Sequence, residues 1–173
     1  ILNGRSAHTK TILKAGDILK ILLPAEEQVK LTPYPLDLEV LFEDEWVLAV
    51  NKQPGLPIYS TKTEKGLANA VAFYLGKKGL PAAPRPVHRL DTPTSGIVLF
   101  AKSAEIQAEL SKQWNERDVS KIYWALCVGS IMTEQVIDIP IQGKQAVTKI
   151  TPVKERNGLT ELRVQIFTGR THQ

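Results

Sequence analysis

The chain has 173 residues with ordinary contents of apolar (43%) and charged (23%) side chains and a formal net charge of +4. These values predict one folded domain with room for a small second unit, and they exclude a disordered or fibrous chain. No stretch approaches the roughly 20 apolar residues of a membrane span, and a single cysteine, Cys127, excludes a disulfide within the chain. A reducing cytoplasm is therefore the expected location, and the mild positive charge fits a polyanionic partner.

Residues 1–24 are predicted to form a small unit of short strands. The turn signals Asn3-Gly4 and Gly16-Asp17 flank short apolar runs, and Asn-Gly is typical of a β-hairpin. The stretch from Pro24 to Pro35 is polar and holds three prolines, which predicts a linker over residues 25–36. The acidic residues between 37 and 45 are expected to form the solvated face of a strand and a turn.

The next elements are a predicted strand and a predicted helix. The apolar run 46–50 indicates a strand that leads into a turn. Lys52 stands at its exit, where it is either a plain surface lysine or a contact for a phosphate or a nearby carboxylate. A helix is predicted over residues 61–78, because apolar residues recur at helical spacing and Thr61 with Glu64 has the spacing of a capping box.

The polar stretch 86–96 holds two prolines and a glycine and predicts a stiff loop, followed by a buried strand over residues 97–101. Asp91 lies on this loop, two residues after Arg89. A loop on a rigid scaffold is where reactive side chains are often presented. An Asx turn with Arg89 as its surface partner is the simpler interpretation of the same residues.

A second helix is predicted over residues 103–118, with Ser103 as its N-cap. Ile106, Leu110 and Trp114 fall at spacings of four residues and share one face. Trp114 is therefore predicted to lie in the core rather than to stack on a base.

Residues 120–129 alternate strictly, as a strand with two different faces does. The more apolar face carries Ile122, Trp124, Leu126 and Val128, and the other carries Lys121, Tyr123, Ala125 and Cys127. Tyr123 is thus either an aromatic residue lining a cleft or a half-buried strand tyrosine. Three further strands are predicted at residues 136–141, 146–153 and 159–167. Such a strand-rich second half predicts an α+β fold.

Four stretches, in order, resemble the motifs of the RluA-like pseudouridine synthases, which isomerise uridine in ribosomal and transfer RNA. They are residues 50–56 (VNKQPGL), 88–96 (HRLDTPTSG), 121–126 (KIYWAL) and 168–173 (TGRTHQ). This resemblance spans roughly residues 38 to 173 and implies that residues 37–173 are a catalytic domain, incomplete at its C-terminal end. Residues 1–24 resemble part of an S4-like RNA-binding domain, although a hairpin of any origin explains them equally well. The chain is therefore expected to be truncated at both ends.

The resemblance also implies a fold and three catalytic residues. The expected fold is the α+β pseudouridine synthase fold, with a mixed, mostly antiparallel sheet, packed helices and a central cleft. Asp91 is implied as the nucleophile, Tyr123 as the ring that stacks on uracil, and Arg170 as the ionic partner of Asp91.

RNA is the partner that the resemblance implies, with the uridine of a ribosomal or transfer RNA as substrate. The expected substrate and RNA contacts are His88, Arg89, Lys52 and Lys121. Arg89 either fills the space of a flipped base or binds the RNA backbone, while His88 and His172 are expected to brace loops. The three histidines lack metal-ligand spacing and no glycine-rich phosphate loop is present, so no metal and no cofactor are expected. No membrane contact is expected, and no oligomeric state follows from the sequence.

Two other functions remain open from the sequence. One is an RNA-binding module that keeps this fold without the chemistry. The other is a glycosidase, which would need a second carboxylate as the acid. The combination of Asp91, Tyr123 and Arg170 favours the synthase, because a module that only binds RNA does not need all three.

Overall fold

The computed structural model describes residues 2–6, 11–20, 31–60, 65–80, 83–115 and 119–173. The chain divides into two compact units, Ile1–Lys30 and Leu31–Gln173. Among the described residues, neither helix is long and apolar enough to span a bilayer.

The first unit is organised by the two predicted turns, and both turns are confirmed. Asn3 and Gly4 have positive φ angles of 49° and 79°, and Leu2 forms bridges with Arg5 and Leu19. The Asp17 carboxylate accepts hydrogen bonds from Asn3 Nδ2 and from the Lys14 amide, both at 2.8 Å. Residues 21–30, which include the end of the predicted apolar run and part of the predicted linker, lie outside the described residues. The likeness to an S4-like domain stays a prediction.

The second unit begins with a four-stranded antiparallel sheet. Its strands are β1 (Glu39–Glu43), β2 (Val47–Lys52), β3 (Arg85–Pro86) and β4 (Gly96–Ala101), in the order β1-β2-β4-β3. Helix α1 (Leu67–Lys77) packs on this sheet to form the core, and helix α2 (Ala104–Asn115) lies against β3 and β4. The largest apolar core residues are Leu48, Val50, Val98 and Phe100 from the strands with Leu67 and Val71 from α1. Alternation in β2 and β4 places these strand residues on one face.

A second four-stranded antiparallel sheet occupies the C-terminal half. Its strands are β5 (Lys121–Val128), β6 (Gln135–Asp138), β7 (Val147–Arg156) and β8 (Leu159–Ile166), in the order β5-β8-β7-β6. Asn157 and Gly158 join β7 to β8 with positive φ angles of 55° and 72°, as a two-residue hairpin turn requires. The predicted α+β class is confirmed, with the described strands divided between two sheets.

Both predicted helices are present, but the first begins later than its sequence pattern indicates. Helix α1 starts at Leu67, after Gly66, whose amide donates to Asn69 Oδ1 at 3.2 Å. A Cβ on Gly66 would lie 2.9 Å from the Ile58 carbonyl oxygen and the Ser60 nitrogen, so the backbone before α1 requires glycine. The predicted capping pair, Thr61 and Glu64, lies outside the described residues.

The predicted cap of α2 is confirmed. The Ile106 amide donates to Ser103 Oγ at 3.3 Å, so the hydroxyl satisfies one of the unpaired N–H groups of the first turn. The last residues of the predicted helix, 116–118, lie outside the described residues.

Strand β5 confirms the predicted alternation and shows which face is covered. Ile122, Trp124, Leu126 and Val128 are 44%, 63%, 68% and 90% exposed. Tyr123, on the opposite face, packs against the core of the first sheet. The face with fewer apolar side chains is therefore the one that faces the rest of this unit.

Glu43 is an exception to the solvated acidic face predicted for residues 37–45. Its carboxylate accepts hydrogen bonds from Tyr74 Oη at 2.6 Å, Lys78 Nζ at 2.7 Å and Lys102 Nζ at 2.8 Å. Burial alone would raise the pKa of Glu43, but the hydrogen bonds from Lys102, Lys78 and Tyr74 outweigh it and lower the pKa to about 2. The cluster ties β1 to the end of α1 and to the residue after β4.

We expect Glu43→Gln to lower the free energy of unfolding at pH 7 by about 1–3 kcal/mol, because it removes a charged acceptor from three donors. The folded pKa of Glu43 lies below the ordinary value of 4.5 for this side chain. The stabilisation is therefore present above about pH 4.5 and is lost as the pH falls towards 2. Urea unfolding at pH 7, 4 and 2.5 measures this. The exposed Glu45→Gln is the control, and a difference between wild type and Glu43→Gln that does not shrink at low pH would contradict the prediction.

Candidate active site

A cleft of about 680 Å³ lies in the second unit, where elements of both sheets meet. Its walls come from the loop before β4, the end of α2, strand β5 and the segment after β8. The predicted site residues that line it are His88, Arg89, Asp91, Lys121, Tyr123 and Arg170. Among the described residues, Asp91 is the one carboxylate in its wall. The fold thus gathers side chains from three of the four sequence motifs.

The loop that presents Asp91 is held by its backbone. The Thr94 amide donates to the Asp91 carbonyl at 3.0 Å, and Gly96 has a φ of 127°, a conformation that favours glycine. Leu90 is buried against the core. With its neighbour anchored in this way, Asp91 is directed into the cleft. Its Oδ2 accepts a hydrogen bond from the His172 backbone amide at 3.1 Å.

Lys52 lies beneath this loop and is completely buried. Its ammonium donates to the carbonyls of Gln53 at 3.1 Å, Leu56 at 2.8 Å and Thr92 at 3.1 Å. Burial lowers the pKa of Lys52, and the charge of Asp91 opposes that shift. The interpretation of Lys52 as a surface lysine is therefore wrong. Since its donors are used beneath the loop, the structure favours the neighbourhood of Asp91 over contact with a phosphate.

His88 braces the loop, as predicted. Its Nε2 accepts a hydrogen bond from the Leu99 amide in β4 at 3.2 Å, and its ring stacks on that of Trp114, with centroids 4.1 Å apart and planes 7° apart. Burial lowers the pKa of His88 to about 4; a backbone hydrogen bond with Arg89 opposes this shift and the charge of Lys121 adds to it. Trp114 is only partly buried and lines the cleft, so its predicted place in the core is wrong.

Tyr123 and Lys121 reach the cleft from one face of β5. Tyr123 is partly buried, and burial together with the charge of Asp91 raises the pKa of its hydroxyl. The phenol is therefore neutral at physiological pH. Lys121 Nζ donates to the Thr168 carbonyl at 3.4 Å, at the start of the segment that carries Arg170.

Arg170 lines the cleft but does not form the predicted ion pair with Asp91. Its Nε donates to the Gln145 carbonyl at 2.8 Å, before β7. Asp91 instead accepts from the main chain of His172, which has a positive φ of 65°. His172 therefore braces the site, but through its backbone amide.

Gln173 organises the segment after β8, which the sequence interpretation missed. Its Oε1 accepts from Thr168 Oγ1 at 2.8 Å and from the Arg170 amide at 3.1 Å. Its Nε2 donates to the Val147 carbonyl at 3.1 Å and to Thr148 Oγ1 at 3.0 Å. A glutamine at the end of a recognised motif was the available signal. Thr168 and Arg170 are its near neighbours in sequence, but Val147 and Thr148 precede it by 26 and 25 residues, so no local pattern identifies those two partners.

The described residues contain no group of three or more histidine, cysteine, aspartate and glutamate side chains that could hold a metal ion.

Comparison with known proteins gives the family. A family model described as RNA pseudouridylate synthase matches residues 46–173. The chain therefore belongs to the RNA pseudouridylate synthase family, and the resemblance predicted from its motifs is confirmed.

Curated relatives extend the likeness to the whole chain. It is 31% identical to ribosomal large subunit pseudouridine synthase D of Xanthomonas campestris, over all of this chain and 57% of the relative. It is 35% identical to the uncharacterized RNA pseudouridine synthase YjbO of Bacillus subtilis, over 99% of this chain and 67% of the relative. The chain thus spans between about half and two thirds of the length of these relatives.

Solved structures share the fold. Human RNA pseudouridylate synthase domain containing 4 superposes with a TM-score of 0.65 and 25% identity, over 78% of this chain and 60% of that chain. Human RNA pseudouridylate synthase domain containing 1 has a TM-score of 0.66 at 21% identity, over 79% of this chain and 62% of that chain. These matches confirm the predicted pseudouridine synthase fold.

We expect Lys52→Met to lower the free energy of unfolding by about 2–4 kcal/mol, because three carbonyls lose their shared donor. Urea unfolding measures this loss. Amide exchange of Gly55, whose N–H donates to the Thr92 carbonyl at 2.7 Å, measures loosening of the Asp91 loop. Lys112→Met, on an exposed site of α2, is the control. Unchanged stability and unchanged amide exchange in Lys52→Met would contradict the claim that the Lys52 hydrogen bonds hold the Asp91 loop in place.

His88 should remain neutral from pH 8 to about pH 5, because its folded pKa of about 4 lies below the usual 6.5. Since the unfolded state takes up the proton first, His88 contributes to a loss of stability as the pH falls from about 6.5 to 4. Side-chain NMR of the imidazole measures the midpoint directly. A midpoint near 6.5 would contradict the observed burial and stacking.

Proposed function

We propose that this protein isomerises uridine to pseudouridine in structured ribosomal or transfer RNA, with Asp91 as nucleophile and without a cofactor. The observation that carries the proposal is the meeting of Asp91, Tyr123 and Arg170 in one cleft, although they come from three separate motifs of the chain. Membership of the RNA pseudouridylate synthase family supports the same reaction.

The reaction is an exchange of bonds within one nucleoside. The bond between N1 of uracil and C1′ of the ribose breaks, the detached base turns, and a bond forms between C5 and C1′. The hydrogen on C5 leaves and N1 gains a proton, so atoms and electrons balance without a co-substrate. A carboxylate can drive such a step by attacking an electron-poor carbon, as carboxylate nucleophiles do at sugars.

The neighbours of Asp91 suit this role. Its Oδ2 is oriented by a backbone amide rather than by a mobile side chain, at 3.1 Å from the His172 nitrogen. Lys52 is buried beneath the loop, and the charge of Asp91 raises its pKa against the effect of burial. Tyr123 offers a neutral ring for stacking on uracil, which is how proteins commonly hold unpaired bases.

The basic residues fit an RNA strand around a base that has left its stack. Arg89 and Arg170 are exposed at the cleft. Guanidinium groups are suited to phosphate contacts, and a base that undergoes chemistry must be reached outside the helix. We assign both arginines to the RNA, with Arg89 as the residue that either fills the vacated space or binds the backbone.

The two alternatives receive less support from the cleft. A glycosidase needs a second carboxylate, and Asp91 is the one carboxylate in the part of the wall that the structure describes. An inactive RNA-binding module does not need an aspartate and a half-buried tyrosine together in one cleft. No observation favours either alternative.

We expect Asp91→Asn in the full-length protein to lower the rate of tritium release from RNA labelled at uridine C5 by more than about 1,000-fold. The free energy of unfolding should change by less than about 1 kcal/mol, because Asp91 is a loop residue outside the core. RNA affinity should also be preserved. The exposed Asp37→Asn is the matched control. No release by the wild type, with RNA binding intact, would favour the inactive module, and a large loss of stability in Asp91→Asn would point to a structural role.

A further inference from the structure

Helix α2 contacts residues 86–88, the segment before Asp91, at two points. Near its first turn, Gln107 Nε2 donates to the Pro86 carbonyl at 3.1 Å. Near its end, the Trp114 ring stacks on His88 at 4.1 Å. Residues seven positions apart complete about two helical turns and so share one face. One face of α2 therefore contacts both ends of the three-residue segment from Pro86 to His88.

The same segment is also hydrogen-bonded to β4. The Val87 amide donates to the Leu99 carbonyl at 2.8 Å, and the Leu99 amide donates to His88 Nε2 at 3.2 Å. Helix α2 and strand β4 therefore both contact this segment. Because Asp91 follows His88 by three residues, a shift of the His88 ring is transmitted along a short stretch to the carboxylate.

The stack with Trp114 also helps to keep the His88 imidazole neutral, as its hydrogen bond with Leu99 requires. The Leu99 amide requires an unprotonated Nε2 as its acceptor. The indole covers one face of the imidazole and so helps to keep it from water, which disfavours the charged form. Besides the Leu99 amide, the groups in the described part of the chain that act on the His88 charge are the Arg89 backbone and the Lys121 ammonium.

We propose that α2 is a brace for the catalytic loop, with Trp114 and Gln107 as positioning residues for Asp91. This inference rests on the proposed function. Neither residue belongs to the four motifs. The geometry favours positioning by Trp114 over base stacking, because one face of its ring is already occupied by the parallel His88 ring.

The test compares Trp114→Ala, Trp114→Phe and Gln107→Leu in the full-length protein, using pseudouridine formation in uridine-labelled ribosomal RNA. We expect Trp114→Ala to lower kcat by about 10- to 100-fold, because small misplacements of a reacting group have effects of that size. KM should stay within about twofold. Trp114→Phe keeps a flat ring and should recover most of kcat, whereas Gln107→Leu should lower it by about three- to tenfold.

Two exposed substitutions serve as controls and should leave kcat unchanged, namely Trp46→Phe at the β1–β2 turn and Gln113→Leu on α2. A rise in KM with unchanged kcat in Trp114→Ala would overturn the proposal and make Trp114 a stacking site for RNA. Wild-type kcat in Trp114→Ala and Gln107→Leu would overturn it as well. If Trp114→Ala does not fold, Gln107→Leu decides the outcome.

A second measurement does not depend on activity. NMR titration of His88 should give a higher pKa in Trp114→Ala than in wild type, and an unchanged one in Trp114→Phe. The backbone amide chemical shifts of residues 89–96 should change in Trp114→Ala but not in Trp114→Phe. If the wild type makes no pseudouridine, the proposed function has failed, and this titration still decides whether Trp114 braces the loop. If neither the His88 pKa nor these amide shifts change in Trp114→Ala, the proposal that Trp114 braces the loop is refuted.

Discussion

The site depends on a lysine that is buried and, within the described residues, has no carboxylate hydrogen-bonded to it. The ammonium of Lys52 satisfies three backbone carbonyls, two in the turn after β2 and one in the Asp91 loop. A buried charge is unfavourable unless it is fully hydrogen-bonded, so these three bonds fix the two loops against each other. The Asp91 loop is thereby tied to a strand that runs through the core of the first sheet.

Two further supports meet the same loop from other directions. His88 anchors it to β4 and α2, and the His172 amide meets the Asp91 carboxylate from the segment after β8. That segment is itself held by Gln173, which bonds to the beginning of β7. The carboxylate is therefore positioned by both sheets, which is the preorganisation that the proposed nucleophile role requires.

The sequence predicted those features that depend on local pattern. Strand alternation placed Tyr123 and Lys121 on one face of β5, and Ser103 marked the start of α2. Alternation could not tell which face is covered, and the exposed one proved to be the more apolar. Burial of Lys52, the bonds from Gln173 to the beginning of β7 and the partner of Asp91 depend on contacts between distant segments. The ion pair assigned to Arg170 was wrong for that reason, because the Gln145 carbonyl takes up its Nε.

The central claim is that Asp91 bonds covalently to the nucleoside during the reaction. The most direct measurement is incubation of the full-length protein with RNA containing 5-fluorouridine, followed by denaturation and mass spectrometry of the peptides that retain RNA. We expect a covalent complex in the wild type, attached through the peptide that carries Asp91, and none in Asp91→Asn. RNA that binds without any covalent complex, or a complex attached at another residue, would contradict the claim.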